Sequence, residues 1–247
     1  MTKRSQELIE HLKKEHKASP LQTYLKEIVY GGNDGIVTTF AVVAGFSGAN
    51  LGQNIADYSF LTVLLFGVAN LFADGASMGL GSFLSLRAEQ DVYRAEEAKE
   101  RHEIQTNPEM EKAETIDILQ SRGFTQEQAE TLAKIYMTNE DYWVRFMMND
   151  ELELANPLQE NPTLTALATF LSFVFFGFIP LIPYVLQVPL DKAFSYSLLA
   201  TFSALVILGG LRWRITRESA LRSIFEIVLV GGVAASLAYL VGTFFKQ

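Results

Sequence analysis

Long uncharged stretches alternate with charged segments along this chain of 247 residues. A membrane-spanning α-helix needs about 20 consecutive, mostly apolar residues. Charged side chains are absent between Glu160 and Asp191, and the stretch between Asp57 and Arg87 contains only one, Asp74. The pattern predicts an all-α membrane protein with five transmembrane helices, at residues 28–49, 58–86, 163–186, 192–212 and 222–244.

The composition agrees with a membrane protein. Hydrophobic residues make up 49% of the chain and charged residues 19%, whereas about 25% of residues are charged in an average soluble domain. The alternative is a large soluble all-α core, but five uncharged stretches of this length would leave too little polar surface. The chain has no cysteine, which excludes disulfides and thiolate ligands. Its net charge of -8 excludes a general nucleic-acid binder, which would be basic.

The acidic residues are concentrated in one part of the chain. Residues 87–160 contain 18 of the 28 acidic residues and 8 of the 20 basic residues. This difference predicts a polar helical domain inserted between the second and third transmembrane helices. The predicted organisation is a polar N-terminal segment at 1–27, two transmembrane helices within 28–86, the acidic domain at 87–160 and three transmembrane helices within 161–247.

Lysine and arginine predict the orientation, because cytoplasmic loops of membrane proteins carry an excess of both. With the N-terminus in the cytosol, 18 of the 20 basic residues lie on the cytosolic side and only Lys192 and Lys246 lie opposite. The C-terminus is then on the far side. Residues 1–27 lack a signal segment, and a stripe within 5–17 predicts a surface helix. The short chain without a targeting extension favours a prokaryotic inner membrane, with a vacuolar membrane as the alternative.

Polar side chains lie within the predicted membrane helices. Asp34 is part of the sequence Gly-Gly-Asn-Asp-Gly in the first helix, and Asn70, Asp74 and Met78 share one face of the second helix. A carboxylate inside a bilayer normally faces a partner or an aqueous path. Carboxylate, amide and thioether groups on one face suit the passage of a divalent cation. Alternatively, Asp34 caps a helix that the glycines break, and Asp74 pairs with another polar group.

Two glycines on the second predicted helix, Gly75 and Gly79, form a Gly-x-x-x-Gly pattern. Small residues at this spacing allow two membrane helices to approach closely. The pattern is common in membrane helices and gives weak support for a dimer.

The acidic domain is predicted to consist of four helices. The second membrane helix continues past Arg87 and ends at Asn107-Pro108, and a second helix ends at Gly123. A third helix covers 125–137, and a fourth begins near Asn139 and includes Met147, Met148, Glu151 and Glu153. On the first of these helices Glu96, Glu100 and Glu103 share one face.

Glutamates on facing helices repel one another unless cations or protons neutralise them. The alternative is a solvated acidic face, which the interleaved lysines and arginines favour. If the domain binds divalent cations, carboxylates and thioethers are the available ligands. The candidate ligands are Glu100, Glu103, Glu111, Glu114, Met147, Met148 and Glu151.

Enzymatic function is not indicated. A ferritin-like di-iron site uses Glu-x-x-His pairs on bundle helices, and the three histidines of this sequence do not form such pairs. A nucleophile–base pair and a phosphate-binding glycine loop are also absent from the sequence. The residues leave two functions open, a metal transporter and a membrane-tethered metal buffer or sensor.

Three motifs carry a resemblance to a known family. The segments Tyr30–Gly45, Ala76–Gly81 and Phe178–Tyr184 resemble the vacuolar iron transporters of plants and yeast and their prokaryotic relatives, and the resemblance covers nearly the whole chain. It implies five membrane helices, a cytosolic metal-binding domain and a homodimer with the ion path between the subunits. It also implies export of Fe2+, and often Mn2+, from the cytosol in exchange for protons, without an organic cofactor.

The resemblance also implies roles for individual residues. Asp34 and Met78 match path residues of the family, whereas Asn70 replaces a path glutamate of the plant members and Asp74 replaces a small residue one turn later. The resemblance leads us to expect the path carboxylate one turn further along the same helix face. The matching residues of the cytosolic metal site are Glu100, Glu103, Glu111, Glu114, Met147, Met148 and Glu151.

Overall fold

A computed structural model describes residues 19–49 and 56–244 of the chain. The predicted surface helix at 5–17 lies outside the described residues. Short 3-10 helices occur at Pro157–Gln159 and Ile179–Leu181. The α-helices are α1 (Pro20–Thr23), α2 (Leu25–Ala49), α3 (Ala56–Thr106), α4 (Pro108–Ser121), α5 (Gln126–Tyr136), α6 (Glu140–Asp150), α7 (Pro162–Phe178), α8 (Ile182–Val185), α9 (Leu190–Thr216) and α10 (Ala220–Phe244).

The chain divides into two compact units. The first, which we call the membrane unit, comprises Met1–Ser82 and Thr163–Gln247, and the second, the acidic unit, comprises Phe83–Pro162. Helix α3 contributes its first half to the membrane unit and its second half to the acidic unit. The sequence predicts an inserted domain at 87–160.

Four helical segments among the described residues are long and apolar enough to cross a membrane. They are Phe60–Thr106, Pro162–Val185, Leu190–Thr216 and Ala220–Val241. Helix α2 has 25 residues, enough to cross a bilayer, but its first half contains the polar Gly-Gly-Asn-Asp-Gly sequence. The all-helical fold with apolar membrane-length helices agrees with the prediction, and a fifth span through α2 stays a prediction.

Helices α2 and α7 approach each other through glycines. A Cβ atom added to Gly31 would lie 2.6 Å from the carbonyl oxygen of Thr169, and one added to Gly177 would lie 2.7 Å from the carbonyl oxygen of Gly35. A Cβ on Gly35 would overlap the carbonyl oxygen of Phe173. Because only glycine fits at these positions, α2 lies directly against the backbone of α7.

Helix α2 continues without interruption through Asp34. Asp34 therefore does not cap a helix broken by the glycines, and this alternative interpretation of the sequence is wrong. The glycines provide close helix packing instead, and they leave the neighbouring polar side chains on other faces of α2.

The Gly75 and Gly79 pattern on α3 also packs within the chain. A Cβ atom at Gly75 would contact the Phe173 ring at 3.2 Å, and one at Gly79 would lie 3.0 Å from the carbonyl oxygen of Ala166. Both glycines therefore face α7, so the pattern is explained by contacts inside one subunit and gives no independent support for a dimer.

The third predicted span is interrupted near its C-terminal end. Pro180 and Pro183 lie where α7 gives way to a 3-10 turn and then to α8, because proline cannot donate the backbone hydrogen bond of a regular helix. The hydroxyl of Ser197 on α9 donates a 2.7 Å hydrogen bond to the carbonyl oxygen of Pro180. The membrane unit therefore supplies a polar partner at the interruption.

The acidic unit is built from the second half of α3 and from α4, α5 and α6. Pro108 begins α4, and a capping box between Thr125 and Gln128 begins α5. Asn139 caps α6 by accepting a hydrogen bond from the amide of Tyr142. A compact apolar core holds these helices together, and its buried members are Tyr93, Ile104, Trp143, Val144, Met147 and Met148.

Candidate metal centre

Three glutamates of the acidic unit come together from different parts of the chain. Glu100 lies on α3, Glu111 lies on α4, and Glu151 follows α6 directly. One carboxylate oxygen from each lies within 4.8 Å of the others. Three acidic oxygens at these separations form a group that could hold a divalent metal ion.

Local structure explains how these side chains meet. The chain reverses at Asn107-Pro108, because proline ends α3 and begins α4. This turn brings the Glu100 face of α3 to the Glu111 face of α4. Glu151 was predicted inside the fourth helix of the domain, but α6 ends at Asp150. The amide of Glu151 still donates a 2.9 Å hydrogen bond to the carbonyl oxygen of Met147, so its backbone position is fixed by the helix end.

Two of the three carboxyl groups are buried. Glu100 is 3% exposed and Glu111 is 5% exposed, whereas Glu151 is exposed to solvent. Oε1 of Glu100 and Oε2 of Glu111 are both buried and have no hydrogen-bond partner among the described residues. An unpartnered buried acceptor costs free energy, and a bound cation would supply the missing partner.

The electrostatics of the group favour a proton or a cation. The pKa of Glu100 is raised to about 8, mainly by burial and also by the charges of Glu111, Glu151 and Glu103. Burial also raises the pKa of Glu151, with contributions from Glu114, Glu111 and Glu103. Each carboxylate therefore makes its neighbours harder to ionise.

The pKa of Glu111 is raised by burial and by the charges of Glu114 and Glu103, although a hydrogen bond with Glu100 opposes the shift. Glu103 and Glu114 thus act on the same group, one turn away from Glu100 and Glu111 on their helices. Of the five glutamates that the sequence singled out as candidate ligands, the structure groups Glu100, Glu111 and Glu151. Glu103 and Glu114 act on them through their charge.

Basic side chains of the acidic unit do not neutralise this group by direct ion pairs. Among the described residues, each ion pair of the unit involves other carboxylates. Lys99 lowers the pKa of Glu111 and Glu151 through its charge but pairs with Glu96 at 4.0 Å. This argues against a simple solvated acidic face. The remaining pairs are Arg94–Asp91, Arg101–Glu97, Arg101–Glu140, Arg101–Asp141, Lys112–Glu109 and Arg122–Asp150.

Met147 and Met148 are fully buried in the core of the acidic unit. The hydroxyl of Thr115 lies 2.8 Å from the carbonyl oxygen of Glu111 and 3.4 Å from the sulfur of Met147, and its single hydrogen is shared between these two acceptors. The indole N–H of Trp143 donates to the same hydroxyl at 2.8 Å. Met147 thus sits in a hydrogen-bonded network, so packing accounts for part of its role.

Sequence reasoning missed Thr115 and Trp143. Thr115 lies four residues after Glu111, and Trp143 lies four residues before Met147, so each shares a helix face with a candidate ligand. That spacing was the available signal. It does not reveal by itself that the two side chains meet across helices.

The polar residues of the membrane unit form a second group. Asp34 on α2 lies near enough to Asp74 on α3 for their carboxylates to repel each other. Both are partly buried, as are Asn70 and Met78 on the same face of α3. Among the described residues, neither aspartate side chain has a hydrogen bond or an ion pair, so Asp74 does not have the polar partner that the alternative interpretation required.

Comparison with known proteins identifies the family of this chain. A family model described as the VIT family matches residues 25–243. The chain is 34% identical over 251 residues to a vacuolar iron transporter of Toxoplasma gondii, covering 97% of this chain and 81% of that protein. It is 33% identical over 234 residues to vacuolar iron transporter 1 of Arabidopsis thaliana, covering 95% and 90%.

Vacuolar iron transporter 2 of Oryza sativa is 32% identical over 232 residues, with coverage of 94% and 90%. The resemblance drawn from three short motifs is therefore confirmed over most of the chain, and so is the prediction that the protein is not an enzyme. The extent of the family match and these identities show that the chain belongs to the VIT family, whose members are transporters.

Proposed function

We propose that this protein exports Fe2+, and also Mn2+, from the cytosol across a membrane in exchange for protons. The relatives are named as iron transporters, and this supports iron as the transported ion. The observation that carries the proposal is the pair of neighbouring carboxylates, Asp34 and Asp74, without neutralising partners on membrane-unit helices. A carboxylate pair in that environment is expensive unless a cation or proton binds there.

The proposed topology has five transmembrane helices, with α2 as the first. The N-terminus and the acidic unit are cytosolic, and the C-terminus lies on the far side. The distribution of lysine and arginine supports this orientation. We propose a prokaryotic inner membrane as the location, with a vacuolar membrane as the alternative.

The acidic unit is proposed to collect the metal ion. Glu100, Glu111 and Glu151 supply the oxygens that lie within 4.8 Å of one another, and Glu103 and Glu114 add negative charge. Such a concentration of charge raises the local concentration of cations. The buried sulfurs of Met147 and Met148 are proposed as additional, softer contacts.

The ion path is proposed to run between two copies of the chain in a homodimer. Met78, Asp74 and Asn70 line it on α3, and Asp34 lines it on α2. Each carboxylate that releases a metal ion becomes free to accept a proton from an acidic far side. The same groups would thereby couple the two flows. We propose that Asp74 serves as the path carboxylate that the resemblance places one turn earlier in plant members.

The path is tested by Asp34→Asn in proteoliposomes that contain the full-length protein. The amide keeps the size of the side chain and removes its charge. Fe2+ uptake into liposomes with an acidic lumen should therefore fall to the level of empty liposomes. Asp191→Asn is the matched control, because Asp191 is an exposed aspartate in the first turn of α9. It should retain flux.

The competing function is a membrane-tethered metal buffer or sensor. It predicts metal binding to the protein without accumulation inside the liposomes, for the unmodified chain as well as for Asp34→Asn. Full transport by Asp34→Asn would contradict the assignment of Asp34 to the path.

A further inference from the structure

A cavity of about 720 Å³ opens among helices α2, α9 and α10 of the membrane unit. Its walls are mostly apolar, with Leu25, Val29 and Tyr30 from α2 and with Ile227 and Val230 from α10. Polar and charged side chains also line it: Lys26, Asn33, Arg212 and Glu226. The metal-transport proposal uses none of these residues.

The charges at this cavity do not cancel. Glu226 accepts hydrogen bonds from Arg212 at 2.8 Å and from Arg222 at 2.9 Å, so one carboxylate faces two guanidinium groups. Lys26 is exposed and forms no ion pair with the described residues. Lys26 together with this arginine pair leaves a net positive charge at the cavity, which is complementary to an anion.

Asn33 supplies a further polar group. Its amide oxygen is buried and has no hydrogen-bond partner among the described residues. Asn33 lies seven residues after Lys26 on α2, about 10 Å along the helix axis at the usual rise. The cavity therefore extends from a cationic end along apolar helix surface to an unpartnered amide.

We propose that this cavity binds one acidic phospholipid per chain, with its phosphate near Lys26 and Arg212 and its glycerol and upper acyl region against the apolar wall. Basic pockets between membrane helices bind anionic headgroups for this reason. A free inorganic anion would leave the apolar wall exposed, and a zwitterionic lipid would bring a positive charge toward Lys26.

The location fits a lipid contact. Trp213, adjacent to Arg212, is 44% exposed, and tryptophan at this kind of position is typical of the membrane–water boundary. Arg214 in the last turn of α9 and Arg217 at its C-terminal cap continue the basic stretch. The proposal does not depend on metal transport, so each could fail without the other.

Native mass spectrometry of the full-length protein in detergent tests the proposal, with phosphatidylglycerol and phosphatidylcholine titrated separately. We expect saturable binding of one phosphatidylglycerol per chain and weaker binding of phosphatidylcholine. Lys26→Gln should weaken phosphatidylglycerol binding about fivefold, the usual contribution of one basic group near a membrane surface. Val230→Trp, which fills the cavity, should weaken it without a change of charge.

Lys192→Gln is the matched control, because Lys192 is an exposed lysine near the opposite end of α9. It should leave binding unchanged. Equal losses in Lys26→Gln and Lys192→Gln would show general charge attraction and would overturn the site. Unchanged binding in Lys26→Gln, equal binding of phosphatidylcholine, or displacement of the lipid by millimolar inorganic phosphate would also contradict the proposal.

Discussion

At the scale of single residues, the acidic unit holds carboxyl groups under conditions that an ordinary protein core avoids. Glu100 and Glu111 are buried beside each other, each with an oxygen that lacks a hydrogen-bond partner among the described residues. Burial of a charged group without a partner is destabilising. This arrangement is therefore better explained by binding than by folding, because a divalent cation would offset the repulsion.

Substitution of Glu100 by glutamine separates binding from stability. The amide removes a buried charge that Glu111 and Glu151 repel, so Glu100→Gln should raise the melting temperature at pH 8.5, where the wild-type carboxyl is largely ionised. The same change should weaken Mn2+ binding by at least about tenfold, since even residues that only orient metal ligands cost this much. Thermal unfolding and isothermal titration calorimetry measure the two effects.

Glu127→Gln provides the control, because Glu127 is an exposed glutamate on α5. It should change neither quantity. A parallel loss of stability and binding in Glu100→Gln would contradict the account, because it would assign Glu100 a structural role.

The raised pKa values also predict how stability depends on pH. The pKa of Glu100 is about 8 in the folded protein and about 4.3 in an unfolded chain. Between these values the folded state binds more protons, so the free energy of unfolding should fall as pH rises from about 5 to 8. Glu111 and Glu151, whose pKa values are also raised, act in the same direction.

Thermal unfolding across this pH range, with a chelator or with Mn2+, measures the effect. The metal should reduce the decline, because it stabilises the ionised glutamates. Identical pH profiles for the wild type and for Glu100→Gln would rule out Glu100 as the titrating group.

At the scale of secondary structure, glycine determines how the membrane helices pack. Gly31 and Gly35 on α2 face the backbone of α7, and Gly75 and Gly79 on α3 face the same helix. Helix α7 thus lies against both helices that carry the aspartates of the proposed path. A methyl group would overlap backbone atoms of α7 at Gly31 and Gly35, and it would crowd that helix at Gly75 and Gly79. The relative position of Asp34 and Asp74 therefore depends on these contacts.

Gly35→Ala tests this dependence. The added methyl group would overlap the carbonyl oxygen of Phe173, and overpacking of this kind costs about 1–3 kcal/mol. Gly45→Ala on the same helix is the control, because nothing lies within 4 Å of its Cβ position, and alanine favours a helix. Melting temperature in detergent should fall for Gly35→Ala only, and equal values for the two variants would contradict the packing argument.

At the scale of the whole molecule, hydropathy and charge predicted the apolar membrane-length helices and the helical nature of the acidic segment. Proline and capping residues such as Pro108 and Thr125 mark helix starts directly in the sequence. The resemblance indicated the family, which the comparisons confirm. Helix α2 is not among the four candidate spans of the described residues, so a fifth span through it stays a prediction.

Other features depend on contacts between helices, which the sequence alone does not reveal. The sequence cannot show which helix Gly75 and Gly79 pack against, because a pattern of small residues allows close packing with any neighbouring helix. The contact of Thr115 with Met147 and Trp143 joins residues that lie up to 32 positions apart, and periodicity describes only one helix at a time. The cavity beside Lys26 likewise depends on the packing of three helices.

The central claim is that a divalent cation crosses the membrane in exchange for protons. The most direct test records Fe2+ uptake and internal pH together in proteoliposomes that contain the full-length protein, with an acidic lumen and a membrane potential held at zero. The account predicts that Fe2+ accumulates in the lumen while the lumen becomes more alkaline, and that neither change occurs when the pH gradient is dissipated. Metal binding without uptake, or uptake with no movement of protons, would contradict it.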